Sequence, residues 1–279
     1  MLDCLLDGLF DTLKLLPYLI VTFIILELLE HKMNDKNEKL LRKNKKFGPL
    51  VGGVLGALPQ CGFSTMASNL FSGRVITMGT LIAVFLSTSD EMLPIMLGEK
   101  VDILFILKVV GFKILIGILT GYLIDLIYKK KIDKNIHIKE LCDDEHCECE
   151  KHGIIISSLI HTLKIALFVL LANIIINLII FYISEDTLKN VLLNKNIFTY
   201  FISSLIGLIP NCASSVIMTE LYLSNLITIG NLLSGLLTGS GLGILLLFKT
   251  NSNLKENITI MSIIYFIGVL VGIIVDFII

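Results

Sequence analysis

Two thiols stand in matched settings. Cys61 closes Leu58-Pro59-Gln60-Cys61 and Cys212 closes Ile209-Pro210-Asn211-Cys212, 151 residues apart in an otherwise apolar chain. Proline removes a backbone donor and clashes with the preceding turn, so each proline breaks a helix and frees carbonyls. A thiol beside an amide and freed carbonyls is ligand chemistry. The two thiols suit a soft or borderline ion or a thiophilic metalloid, while Gln60, Asn211, Ser64 and Ser215 suit a harder ion or an oxyanion. Either motif alone reads as a kinked span with a small buried cysteine. Packing alone does not require the same polar neighbours twice.

A second constellation is acidic. Ser87-Thr88-Ser89-Asp90-Glu91 interrupts an apolar run, where each buried carboxylate costs roughly 3 kcal/mol unless paired or hydrated. Asp90 and Glu91 are therefore candidate ligands or proton-coupling groups. Adjacent side chains on an ideal helix diverge by about 100°, so both address one site only if the helix loosens there. Pro94, which cannot donate to the carbonyl of Asp90, supplies a reason for it to do so. The competing reading is an ion pair of either acid with Lys108 or Lys113 that holds helices together. Glu220, whose partner by position is Asn69, is a further ligand or proton-carrier candidate.

The elements that hold these groups repeat. At an offset of 151, Gly56, Pro59, Cys61, Ser64, Leu70, Ile76, Thr77, Gly79, Leu81, Leu86 and Ser89 match Gly207, Pro210, Cys212, Ser215, Leu221, Ile227, Thr228, Gly230, Leu232, Leu237 and Ser240. So apolar a composition gives roughly three or four such identities by chance. Gly117, Gly121 and Asp125 answer to Gly268, Gly272 and Asp276 in the same register. The glycine pairs read as close helix packing, and the aspartates, near helix ends, read as solvated interfacial groups. The acids have no counterpart: Thr238-Gly239-Ser240-Gly241 is glycine-rich instead.

With 54% hydrophobic and 17% charged residues, the chain has more apolar surface than a soluble core of 279 residues hides. It reads as an integral protein of the lipid bilayer. Spanning-length runs lie near 10–29, 75–98, 102–128, 153–183, 225–248 and 258–279, with the broken Pro-polar-Cys elements at 47–72 and 197–222. A net charge of -1 does not indicate nucleic acid.

Seven Lys or Arg in 31–46 place that loop in the cytoplasm, and Lys129, Lys130 and Lys131 should lie on the same side. Both loops are cytoplasmic only if 47–72 re-enters and returns, and as helix its 26 residues reach only about 39 Å. Each half then crosses an odd number of times, so the repeats are inverted, with both termini outside. Fully spanning broken segments would instead make them parallel. The expected fold is an all-α polytopic membrane protein of two inverted-topology repeats, 1–128 and 153–279. Each repeat has three spanning helices and a re-entrant broken-helix hairpin, about ten helical segments in all.

A cytoplasmic linker, 129–152, joins the halves. Cys142, His146, Cys147, Cys149 and His152 gather there among acids, offering thiolate and imidazole to a borderline or soft metal such as zinc. The spacing is not a zinc-finger pattern, and a solvated acidic connector is the equal alternative.

Gly56-x-x-Pro59-Gln60-Cys61-Gly62-Phe63-Ser64, Thr88-Ser89-Asp90-Glu91, Gly207-Leu-Ile-Pro210-Asn211-Cys212 and the stretch from Gly235 to Gly243 resemble the predicted ten-span heavy-metal exporter family, whose members also carry the labels arsenic efflux protein and manganese transporter. The resemblance spans most of the chain. It implies a metal or metalloid permease and does not choose the ion.

The expected function is export of a metal or metalloid ion, a small inorganic substrate, across the cytoplasmic membrane by alternating access through a midplane site. Cys61, Cys212, Asp90 and Glu91 would ligate it. No cofactor is required, and no nucleotide-binding loop of the Gly-x-x-x-x-Gly-Lys-[Ser/Thr] type occurs. Neither a Ser-His nor a His-Glu-x-x-His constellation lies in the spans, so an enzyme is not expected. The alternatives are a carrier of a small organic anion or oxyanion and a metal-responsive membrane sensor signalling through the linker.

Overall fold

The computed structural model describes residues 47–58, 61–89, 92–128 and 197–278, with single positions between 13 and 24 and between 159 and 174. Its elements are all helices: α1 (Gly48–Gly56), α2 (Cys61–Ser72), α3 (Met78–Ser87), α4 (Met92–Gly98), α5 (Ile103–Tyr128), α6 (Phe198–Gly207), α7 (Cys212–Leu223), α8 (Ile229–Thr238), α9 (Leu242–Thr250) and α10 (Leu254–Ile278). Among the described residues four stretches are long and apolar enough to cross a bilayer: Met78–Gly98, Ile103–Tyr128, Ile229–Thr250 and Leu254–Ile278. The chain is a multi-pass membrane protein.

The two halves pack alike. α3 lies between α1 and α5, and α8 lies between α6 and α10. Close approach is enforced by glycine: a methyl on Gly121 would sit 2.6 Å from the Gly79 carbonyl oxygen, and one on Gly272 would sit 2.6 Å from that of Gly230. Gly117 and Gly268 meet the Ala83 and Ser234 carbonyls at 2.8 and 2.9 Å in the same way. The close packing expected of both Gly-x-x-x-Gly pairs is present.

The helices divide by burial. Every residue of α3 and of α8 is buried except Ile229. By contrast α5 and α10 turn Leu104, Leu107, Leu115, Leu119, Leu123 and Phe266, Leu270, Ile274 outward, a face suited to lipid. This division follows from the sequence. Each second span is two half-helices rather than one, α3 then α4 and α8 then α9, and interrupted backbone at membrane depth is tolerated only inside protein. A loosened helix was expected at 88–91; the matching break at 239–241 is the glycine-rich counterpart, where Gly241 takes φ 54° to start α9.

Both α2 and α7 end in the same Schellman turn. Val75 N–H reaches Leu70 O and Leu226 N–H reaches Leu221 O, each at 2.9 Å, around Arg74 and Asn225, which hold positive φ of 59° and 57°. Across the halves, α2 packs along α9, α7 against α4, and α3 against α8. Thus α2 and α7 each rest on the other half's broken span.

Candidate functional site

The site is built at the helix breaks. Ser87 Oγ donates to Ala83 O and Thr88 Oγ1 to Val84 O, each at 2.8 Å, closing the end of α3. Thr238 Oγ1 closes the end of α8 and also donates to Ser204 O of α6 at 2.9 Å. A methyl on Gly56, at the end of α1, would run into Ser87 Oγ, so the end of α1 abuts the break after α3. Ser64 of α2, fully buried, lies against the start of α9: a methyl on Gly243 would sit 2.8 Å from its Cβ. Ser68 Oγ then donates to Gly243 O at 2.7 Å. These contacts bring the broken ends of both halves to one region.

Lys113 joins them. It is fully buried, and its Nζ donates to Thr88 O at the end of α3 and, at 2.9 Å, to Leu236 O in the last turn of α8. Among the described residues it is the one charged side chain that is fully buried. An ammonium at bilayer depth costs roughly 3 kcal/mol on insertion scales unless compensated. Two carbonyls at helix C-terminal ends, where the dipole favours a cation, contribute to that compensation.

The expected site residues fall into three groups. Asn211, 3% exposed, caps α7: its Oδ1 accepts from Ala213 N–H at 3.2 Å. Ser64 is buried at the α2–α9 seam, and Ser215 is half-buried on α7. Glu220 is exposed, whereas Asn69, its counterpart by position, is fully buried with neither amide atom hydrogen-bonded. Cys61 and Cys212 are the first residues of α2 and α7. Their side chains, with Gln60, Asp90, Glu91 and the whole linker set of Cys142, His146, Cys147, Cys149 and His152, lie outside the described residues. Among the described residues no three His, Cys, Asp or Glu gather as a metal site.

Sequence reasoning treated Lys113 only as an ion-pair partner. Its signal was visible, a charge near the middle of a 26-residue apolar helix. It also read Asp125 and Asp276 as solvated, and the structure gives them another task. Asp125 accepts from Thr77 Oγ1 at 2.7 Å and Gly79 N–H at 2.9 Å; Asp276 accepts from Thr228 Oγ1 and, at 2.8 Å, from Gly230 N–H. Each aspartate caps the N-terminus of the buried span beside it, where a carboxylate is favoured. Tyr200 adds a 2.8 Å bond to Asp276.

Broken, buried helices contributed in duplicate and ringed by unbroken lipid-facing ones are the build of a polytopic membrane transporter. The chain belongs to the family described as "Putative, 10TM heavy-metal exporter", which matches residues 3–182. No curated protein matches the chain. No solved structure matches it.

Proposed function

We propose that this transporter exports a metal or metalloid ion by alternating access, through a site between two inverted repeats where the helix breaks meet. The observation that carries the reading is that Thr88 O and Leu236 O, from the broken spans of different halves, bind the same Lys113 ammonium near mid-bilayer. Cys61 and Cys212, which begin the helices following the two hairpin tips, are the proposed ligands, with Gln60, Ser64, Asn211 and Ser215 orienting. Asp90 and Glu91, one and two residues past the α3 end, are ligands or coupling groups. The linker cysteines and histidines are proposed as a separate cytoplasmic strip for a soft metal.

Two contacts support inverted topology. Arg74, after α2, pairs with Glu256 at the start of α10, and Phe105, at the start of α5, stacks on Tyr222 near the end of α7. With re-entrant hairpins and a cytoplasmic 31–46 loop, the first pair falls wholly at the cytoplasmic face and the second wholly outside. With fully spanning hairpins the members of each pair would be separated by a bilayer of roughly 30 Å. Helices α1 and α2, of nine and twelve residues, also have half-depth lengths.

A carrier of a small organic anion or oxyanion is the second reading, favoured by the buried positive charge of Lys113. Transport in inverted vesicles of purified protein separates the two. Manganese, zinc, cadmium and arsenite are compared for wild type, Cys61→Ser with Cys212→Ser, and Asp90→Asn. Movement of one ion, lost in both variants, supports the metal reading and names the substrate; movement of none of them overturns it.

A further inference from the structure

Among the described helix starts, one lies inside the protein with no side chain to close it. Thr77 caps α3, Thr228 caps α8 and Asn211 caps α7, each accepting from a backbone N–H of the first turn. The starts of α1 and α6 also lack a side-chain cap, but they lie at exposed Phe47 and Ile197. By contrast α9 starts at Gly241, which has no side chain to offer, and Ser240, Gly241, Leu242, Gly243 and Ile244 are all buried. A buried helix start without a cap leaves N–H donors short of acceptors.

Beside it stands a second unpaired donor. Ser240 is 1% exposed, a bond of 3.2 Å from Gly243 N–H to its carbonyl holds it against the first turn of α9, and its Oγ makes no hydrogen bond. Ser89, its equivalent by repeat and equally buried, donates to Ser87 O at 3.1 Å. The hydroxyl is idle in one half only. Further, α2 and α9 run parallel, because Ser64 meets Gly243 near their starts and Ser72 Oγ lies 2.7 Å from Thr250 Oγ1 at their ends. Their positive ends therefore lie side by side, where an anion or an oxygen lone pair is favoured.

We propose that the start of α9 is a substrate site: Ser240 Oγ and the first-turn N–H groups of α9 donate to an oxygen of the transported species. That species is then an oxyanion or a hydroxo-metalloid, since a bare metal cation would meet only donors there. The site lies at the break between α8 and α9, so it rests on the reading of the breaks as the transport centre and narrows what that centre carries.

Full-length protein in detergent is dialysed to equilibrium with arsenite, phosphate, sulfate, cadmium or manganese, and unfolding temperatures are measured without ligand. Ser240→Ala should leave the unfolding temperature unchanged, because its hydroxyl has no partner to lose; a marked fall would make the hydroxyl structural and overturn the site. The same variant should weaken binding of the oxygen-bearing probe about tenfold, the loss of one hydrogen bond. Ser240→Asp should abolish that binding by setting a carboxylate beside the bound oxygen. Arsenite bound and weakened in this way assigns a hydroxo-metalloid. Phosphate or sulfate bound and weakened assigns an oxyanion, keeps the site and removes the metal reading. Equal binding of these probes by wild type and Ser240→Ala overturns the site and leaves the carrier standing. Cadmium or manganese bound alone overturns the site and leaves the metal-carrier reading standing, and no probe bound by wild type overturns both.

Discussion

Arg74 Nη1 lies 3.0 and 2.8 Å from the two carboxylate oxygens of Glu256, 182 residues away in the chain. Asn251 Nδ2 donates to the same carboxylate at 3.1 Å and to Asn257 Oδ1 at 2.6 Å, and Arg74 rests over the Phe71 ring at 5.4 Å. At the repeat offset, Phe71 and Glu256 correspond to Tyr222 and Phe105, whose rings stack at 5.8 Å and 4°. Glu256 thus meets the charge of Arg74, whose counterpart is Asn225, whereas Phe105, the counterpart of Glu256, meets the ring of Tyr222.

The ion pair should contribute to access more than to stability. Its side chains are 29% and 23% exposed, so Glu256→Gln should cost no more than about 1 kcal/mol in thermal unfolding. If the contact closes the cytoplasmic path to the centre, Cys61 should react several-fold faster with an impermeant maleimide from that side in Glu256→Gln. The comparison is made with the other five cysteines replaced by serine. An unchanged rate would mean that the pair closes nothing.

The aromatic pair should behave differently. Tyr222→Phe keeps the ring and should leave unfolding unchanged, while Tyr222→Ala should lose the stack, worth about 0.5–1.5 kcal/mol beyond area. Raising salt should loosen the Arg74–Glu256 side and not this one. Equal salt response of Cys61 labelling from both sides would contradict that division.

Glycine substitutions should separate sharply by position. A methyl at Gly79 meets the Gly121 carbonyl and comes within 2.5 Å of Asp125 Oδ1, whereas at Gly111 it meets nothing within 4 Å. Gly79→Ala should therefore destabilise by about 2 kcal/mol or more, and Gly111→Ala should be neutral or stabilise by up to about 1 kcal/mol. Unfolding temperatures in detergent decide this, and similar values for the two would refute the packing.

Asp125 and Asp276 make the same two bonds in each half. Asp125→Ala and Asp276→Ala should each cost about 1–2 kcal/mol, as loss of a helix cap does. The double variant should cost about the sum, since the described partners of the two aspartates are different residues. A marked departure from additivity would show that the halves are coupled through these caps.

Much of this architecture is legible in the residues. The 151-residue offset marks the duplicated breaks, and the glycines of α5 and α10 show which faces approach closely, because both signals are local and recur. What escaped was non-local. The fate of Asp125 depends on Thr77 and Gly79, some 46 to 48 residues away, and nothing near a helix-end aspartate distinguishes a cap from a solvated group. The carbonyl partners of Lys113 escaped for the same reason, since every residue has a carbonyl and no side-chain pattern reveals which one is used. That Asn211 also caps α7 could have been read locally, since Asn before a helix is a favoured N-cap.

The seam of α2 and α9 has a consequence for how the protein is made. Ser64, Ser68 and Ser72 lie along one side of α2, and their partners, Gly243 and Thr250, are translated some 180 residues later. Until α9 has been made, that hydroxyl-lined face lacks these partners. The first half is therefore an incomplete folding unit, and a chain stopped after the linker should be recognised and degraded by membrane quality control. Separately expressed halves should be rescued by each other, because each carries an arm that only the other can cover.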